Sequence, residues 1–189
     1  MPVKFDPKNK DVLLSAERRR TLDMYRLLSL IPIVPHQSVV DIGCGPGFFT
    51  VPLAKYLWGG KVYAVDVQQE MLDAAKKAVE SERLSNVEFL KSTERRLPLE
   101  KESVDGALLA FVLQEADSHT SLLKETRRSV RSSGWLAILE WHRKESDSGP
   151  PLEQRIEDDE MAELVTDAGF RVVSKRDLNE MQYLVLASR

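Results

Sequence analysis

The chain has 189 residues, a formal charge of −3, and 42% hydrophobic against 30% charged residues. That balance excludes a disordered tail, a membrane-spanning bundle and a protein that holds nucleic acid through bulk positive charge. Cys44 is the only cysteine, so no internal disulfide or cysteine-based metal cluster can form, and a reducing cytoplasm is the expected setting.

Residues 12–30 read as a helix with Leu13, Leu22, Tyr25, Leu27, Leu28 and Leu30 on its apolar side, ended by Pro32 and Pro35. Two basic stretches, 17–26 and 124–131, read as solvated helix faces. "SVVDI" (38–42) is a short buried strand, followed by a helix over 46–57 that stops at Gly59-Gly60. "KVYAVDV" (61–67) is a second strand with a helix over 69–82. "VEFLK" (87–91) is a third, and "VDGALLAFV" (104–112) a fourth with a helix over 118–131. Ser132-Ser133-Gly134 reads as a turn into the fifth strand, "WLAILEW" (135–141). A polar loop (143–156), a helix over 157–168 closed by Gly169, and the strands 170–176 and 182–188 complete the chain.

Regular alternation of β-branched strands with helices predicts an α/β fold: a single Rossmann-like, doubly wound, seven-stranded sheet, mostly parallel. The short link between the last two strands leaves no room for a crossover helix, so the last strand is expected to be antiparallel. A single domain follows, with an N-terminal helical cap over 1–36 and a core over 37–189.

Ligands in such sheets bind beyond the carboxyl ends of the strands, where the strand order reverses. "VVDIGCGPGFFT" (39–50) closes the first strand there. A dinucleotide fingerprint beginning at Gly43 would place its sixth position at Phe48, too large for the close helix–strand packing that fingerprint needs. The pattern that fits is Asp41, Gly43, Gly45 and Gly47, alternating.

With these residues the chain resembles the class I S-adenosylmethionine-dependent methyltransferases, with "VVDIGCGPGFFT" as their first motif and "VYAVDVQQEML" (62–72) as the second. "LPLEKESVDGALLAFVLQEAD" (97–117) looks like the strand-four block of the small ubiquinone/menaquinone type. The resemblance runs from about residue 12 to the C-terminus and implies S-adenosylmethionine as cofactor. It places Gly43, Cys44, Gly45, Gly47 and Phe48 against the methionine part and the ribose, with Ala110 and Phe111 closing strand four beside it. Asp66 is implied as acceptor of the two ribose hydroxyls, and Val67 and Met71 as flanks of the adenine. Asp41 is expected to organise the loop or the amino-acid end, or else to cap the following helix. Where family members carry an aspartate for the adenine amino group this chain has Thr93, with Glu94 next to it as the alternative.

Methyl transfer needs alignment, exclusion of water and, for a protonated acceptor, a base. Glu115 is a candidate, either as a polar group in the pocket or as a carboxylate favoured at a helix N-terminus. His142 is the other, either as a base or as a hydrogen-bonded wall residue, with Trp141 beside it as core or acceptor wall. The loop 143–156 and the helix 12–30 are the expected lid. The Asn/Asp-Pro-Pro-Tyr signature of base-amine methyltransferases is absent, so a small-molecule acceptor is expected rather than nucleic acid, on a monomer or homodimer. The competing reading is a non-catalytic, methyltransferase-like module that binds cofactor or a partner.

Overall fold

In the computed structural model, which describes residues 4–146 and 148–189, strands with apolar side chains on both faces assemble into one seven-stranded sheet. The strands are β1 (Ser38–Ile42), β2 (Lys61–Asp66), β3 (Val87–Lys91), β4 (Val104–Ala110), β5 (Val130–Trp141), β6 (Arg171–Asp177) and β7 (Gln182–Ser188). Their order is β3-β2-β1-β4-β5-β7-β6. The first five pair in parallel, whereas β7 lies between β5 and β6 and runs antiparallel to both.

The period of two divides each central strand between two cores. Val39, Leu108, Ala137 and Leu139 face a cluster that includes Leu27 and Leu28 of α3 (Met24–Leu30) and Leu53 of α4 (Thr50–Tyr56). Val40, Ala107, Leu109 and Ile138 face the other, filled by Leu123 of α6 (His119–Ser129) and by Met161 and Val165 of α7 (Asp158–Asp167). Helix α5 (Gln69–Ser81) packs Leu72 and Ala75 on Ala64 and Cys44. Because the chain runs outward from β1 to β3 and then returns to β4, the order reverses at β1, and the crevice beyond its carboxyl end is the place for a ligand.

Three local readings need correction. The single helix expected over 12–30 is instead α1 (Lys10–Leu13), α2 (Ala16–Thr21) and α3. Ser15 and Asp23 cap the second and third, accepting from the Arg18 amide and from the Tyr25 and Arg26 amides, while Leu22 between them is extended. The two caps override the apolar periodicity, and Tyr25, placed on the apolar side by that periodicity, is exposed. Helix α4 starts at Thr50, because residues 46–49 are spent turning the loop. Finally, β5 begins at Val130: Val104 pairs with Val130 and Gly106 with Trp135, so residues 131–134 bulge from the strand. Gly106 leaves room for the Trp135 indole, which a Cβ there would strike, and the indole N–H donates to Gln37 Oε1 at 3.2 Å. Among the described residues no helix is long and apolar enough to cross a membrane.

Candidate active site

Beyond the carboxyl ends of β1, β2 and β4 lies a cavity of about 990 Å³, large enough for a nucleoside cofactor together with a second small molecule. Gly43, Cys44, Gly45, Phe48, Asp66, Val67, Met71, Thr93, Glu94, Ala110, Phe111 and Glu115 all line it. Asp41, Gly47 and His142 stand outside that lining.

The three loop glycines have three different neighbours. Each has positive φ, +65° at Gly43, +53° at Gly45 and +93° at Gly47, a region that side chains with a Cβ rarely adopt. A Cβ on Gly43 would stand 2.5 Å from Val112 Cγ2, and one on Gly47 would stand 3.1 Å from the Ala75 Cα of α5. A Cβ on Gly45 would meet only Leu13 Cδ1, at 3.8 Å, and otherwise open cavity. Gly43 and Gly47 therefore admit protein, and Gly45 leaves room for a ligand.

Asp66 ties the first two loops together. Its Oδ2 accepts the Gly45 amide at 2.9 Å and its Oδ1 accepts the Gln68 amide at 2.8 Å. Burial raises its pKa against these hydrogen bonds. Asp41 lies beneath the loop, 1% exposed, with Thr50 Oγ1 donating to it at 2.6 Å. Burial pushes its carboxyl up to about 7. Its visible work is to join β1 to α4. Cys44 is buried, and burial pushes its thiol up as well, which makes it an inert packing group.

At the end of β4, Phe111 takes φ +63°, left-handed backbone in a bulky residue, and its amide donates to Leu139 O at 2.8 Å. The turn directs its ring toward Trp141, at 5.6 Å, and Phe49, at 6.3 Å. Phe48 adds an edge-on contact to Phe49 at 5.0 Å, completing an aromatic wall. Beneath the turn, the fully buried Glu140 accepts the Leu113 amide at 3.0 Å, and burial pushes it up to about 8.

The opposite side is closed by the N-terminal segment. Lys4 pairs with Glu94, the Phe5 amide donates to Glu115 Oε2 at 3.0 Å, and Gln68 Nε2 donates to Phe5 O at 3.1 Å. Asn179, on the β6–β7 turn, donates to Thr21 O at 3.1 Å. Both Glu94 and Glu115 thus hold this cover. Arg18, in a run read from sequence as a solvated face, turns into the cavity while Arg19 and Arg20 remain exposed. Its guanidinium lies 5.0 Å from the Phe48 ring centroid and 5.1 Å from that of Phe111.

The loop after β5, expected to be a lid, is a braced wall. Arg155, 4% exposed, donates from Nε to Pro150 O, from Nη1 to the carbonyls of His142 and Lys144, and from Nη2 to Ser148 O and Ser146 Oγ. The loop so held lends Ser148, Gly149, Pro150 and Pro151 to the cavity. His142 faces elsewhere, its ring 5.2 Å from Tyr183 and its Nε2 3.0 Å from Asp177 Oδ1.

Residues 40–138 match the family described as the methyltransferase domain. A solved structure, that of a SAM-dependent methyltransferase from Aquifex aeolicus, superposes with a TM-score of 0.94 at 34% identity, covering 97% of this chain and 98% of that one. The chain belongs to the S-adenosylmethionine-dependent methyltransferase family. Among sequence relatives of this methyltransferase, the demethylmenaquinone methyltransferase of Lactococcus lactis is 32% identical over 104 residues, 54% of this chain and 41% of that protein. The Bacillus mycoides enzyme of the same name is 28% identical over 138 residues, 72% of this chain and 57% of that protein. The methyltransferase thus spans about half the length of the curated relatives it matches. Its cavity brings together a carboxylate at Asp66, apolar side chains at Val67 and Met71, and open space at Gly45.

Proposed function

We propose that this methyltransferase acts on a planar, apolar small molecule of the quinol class, with Asp66 holding the ribose and Thr93 or Glu94 at the adenine edge. The observation that carries the acceptor is the aromatic wall of Phe48, Phe49, Phe111 and Trp141 along a cavity larger than a nucleoside requires. The demethylmenaquinone relatives support the same chemical class.

The cofactor, when bound, supplies a methyl group on positively charged sulfur, ready for in-line displacement. The chain aligns the acceptor with that methyl group and keeps water out. The aromatic wall fixes the acceptor plane, and the bulky Phe111, held at positive φ, sets the wall's position at the end of β4. The N-terminal segment closes the opposite side. Glu115, whose pKa burial raises above its ordinary value, takes the role of proton acceptor for a hydroxylated substrate in this reading.

The test is transfer of labelled methyl groups to a panel holding a short-chain demethylated naphthoquinol, simple catechols and aliphatic amines. Label on the naphthoquinol or catechols is the expected result. Label on the amines alone would overturn the acceptor class.

A further inference from the structure

The amino-acid end of S-adenosylmethionine carries a carboxylate, and a carboxylate leaving water needs donors. Three amides of the glycine loop are already engaged. The Cys44 amide donates to Val65 O at 3.0 Å, the Gly45 amide to Asp66 at 2.9 Å and the Gly47 amide to Cys44 O at 3.1 Å. These amides hold the shape of the loop rather than form an anion nest.

Among the described residues two cations line the cavity, Lys4 and Arg18, and Lys4 is paired with Glu94. Arg18 has no carboxylate at ion-pair distance among the described residues, and its Nε is buried without a hydrogen-bond partner. The acids sharing the cavity already accept other donors: Asp66 the Gly45 and Gln68 amides, Glu115 the Phe5 amide, Glu94 the Lys4 ammonium. The contrast with Arg155, whose three nitrogens all donate to its own loop, marks Arg18 as a donor set held for something else. Its position agrees. Phe48, against which the guanidinium lies, directly follows Gly47, and Leu13 of the same N-terminal segment covers Gly45.

We infer that Arg18 binds the α-carboxylate of the cofactor, so that the N-terminal segment closes over the glycine loop by reading the amino-acid end of its ligand. This rests on the cofactor assignment. A planar guanidinium offers two parallel donors to a carboxylate, and the flanking rings of Phe48 and Phe111 hold that fork in place.

Calorimetry on the full chain with two probes tests it. S-adenosylhomocysteine has the carboxylate; 5′-methylthioadenosine has the same nucleoside and a thioether but no amino-acid end. Arg18→Met, which keeps an apolar stem of similar length, is expected to weaken S-adenosylhomocysteine about 10- to 100-fold, with methylthioadenosine changed less than about 2-fold. Arg18→Lys, keeping a point charge, is expected to fall between. Trypsin gives a second readout, since cleavage at Arg19 and Arg20 should slow with S-adenosylhomocysteine and not with methylthioadenosine.

Equal loss of both probes in a variant that melts like wild type would overturn the inference, as would unchanged binding of both. Unchanged binding together with a raised KM for the acceptor would move Arg18 to the acceptor instead. Failure of the wild type to bind either probe would strike the cofactor assignment itself, a separate result.

Discussion

Asp66, the last residue of β2, accepts the Gly45 amide at 2.9 Å, so the acid that closes one strand holds the loop that follows its neighbour. The same carboxylate faces the cavity. Asp66→Ala should therefore lose more than one contact: cofactor affinity is expected to fall by about 100-fold or more, and the Gly45 amide to exchange faster. Asp66→Asn, which keeps an acceptor oxygen, should recover part of the exchange protection. Calorimetry and amide hydrogen exchange check both, and unaltered exchange at Gly45 would disprove the tether.

The loop glycines should separate under substitution. Gly43→Ala and Gly47→Ala drive a Cβ toward Val112 and the Ala75 backbone at positive φ, and each is expected to destabilise the fold by about 1–3 kcal/mol. Gly45→Ala carries the same positive-φ strain without such a contact, so it is expected to cost less stability and more cofactor affinity, because its methyl group enters open cavity. Thermal melts paired with ligand titrations would show whether the order is reversed.

Two buried carboxyls dictate the pH dependence. Asp41 at about 7 and Glu140 at about 8 lie above the usual carboxylate range because burial disfavours their charge. The folded state thus binds more protons than the unfolded one, and stability is complete below the ordinary carboxylate pKa and declines as pH rises toward about 8. A higher Tm at pH 5 than at pH 8.5 is expected, and Asp41→Asn with Glu140→Gln should flatten the slope. A slope of opposite sign would refute this.

Glu115 and His142 should part company in kinetics. His142→Gln leaves the cavity lining intact and is expected to change kcat by less than about 3-fold. Glu115→Gln is expected to lower kcat by about 100-fold on a hydroxylated acceptor and to abolish the acidic limb of the pH–rate profile. The same profile in both variants would remove Glu115 from proton transfer.

Arg155 braces the wall formed after β5. Arg155→Met should raise the acceptor KM several-fold, with S-adenosylhomocysteine affinity unchanged. Equal losses in both would mean that the loop serves the cofactor half of the cavity as well.

Much of this architecture is legible in the residues themselves. β-branched runs bounded by Gly and Pro mark the strands, and the spacing of Gly43, Gly45 and Asp66 marks the crevice, because period-two burial and left-handed turns leave direct traces in composition. The N-terminal segment is harder to read. Leu22, Tyr25 and Leu28 keep a helical spacing, but Ser15 and Asp23 cap new helices within it, and a cap is a local hydrogen bond that periodicity does not register. Three consecutive arginines likewise say nothing about which one faces inward. Successive helical residues point about 100° apart, so Arg18 meets the cavity while Arg19 and Arg20 meet water. Asp41 and Gly47 carry the motif's pattern, yet their side-chain space is taken by Thr50 and Ala75, contacts that arise only once α4 and α5 are packed.

Trp141 on the cavity wall makes the molecule its own optical probe. The three tryptophans occupy three environments: Trp58 is 79% exposed, Trp135 is buried over Gly106, and Trp141 lies between Phe111 and the Arg155 guanidinium, whose Cζ is 5.4 Å from its ring centroid. Trp58→Phe with Trp135→Phe leaves Trp141 as the one emitter on the cavity wall, and Trp58→Phe with Trp141→Phe leaves Trp135 to report the sheet. Ligand binding and unfolding can then each be followed by an emitter of their own.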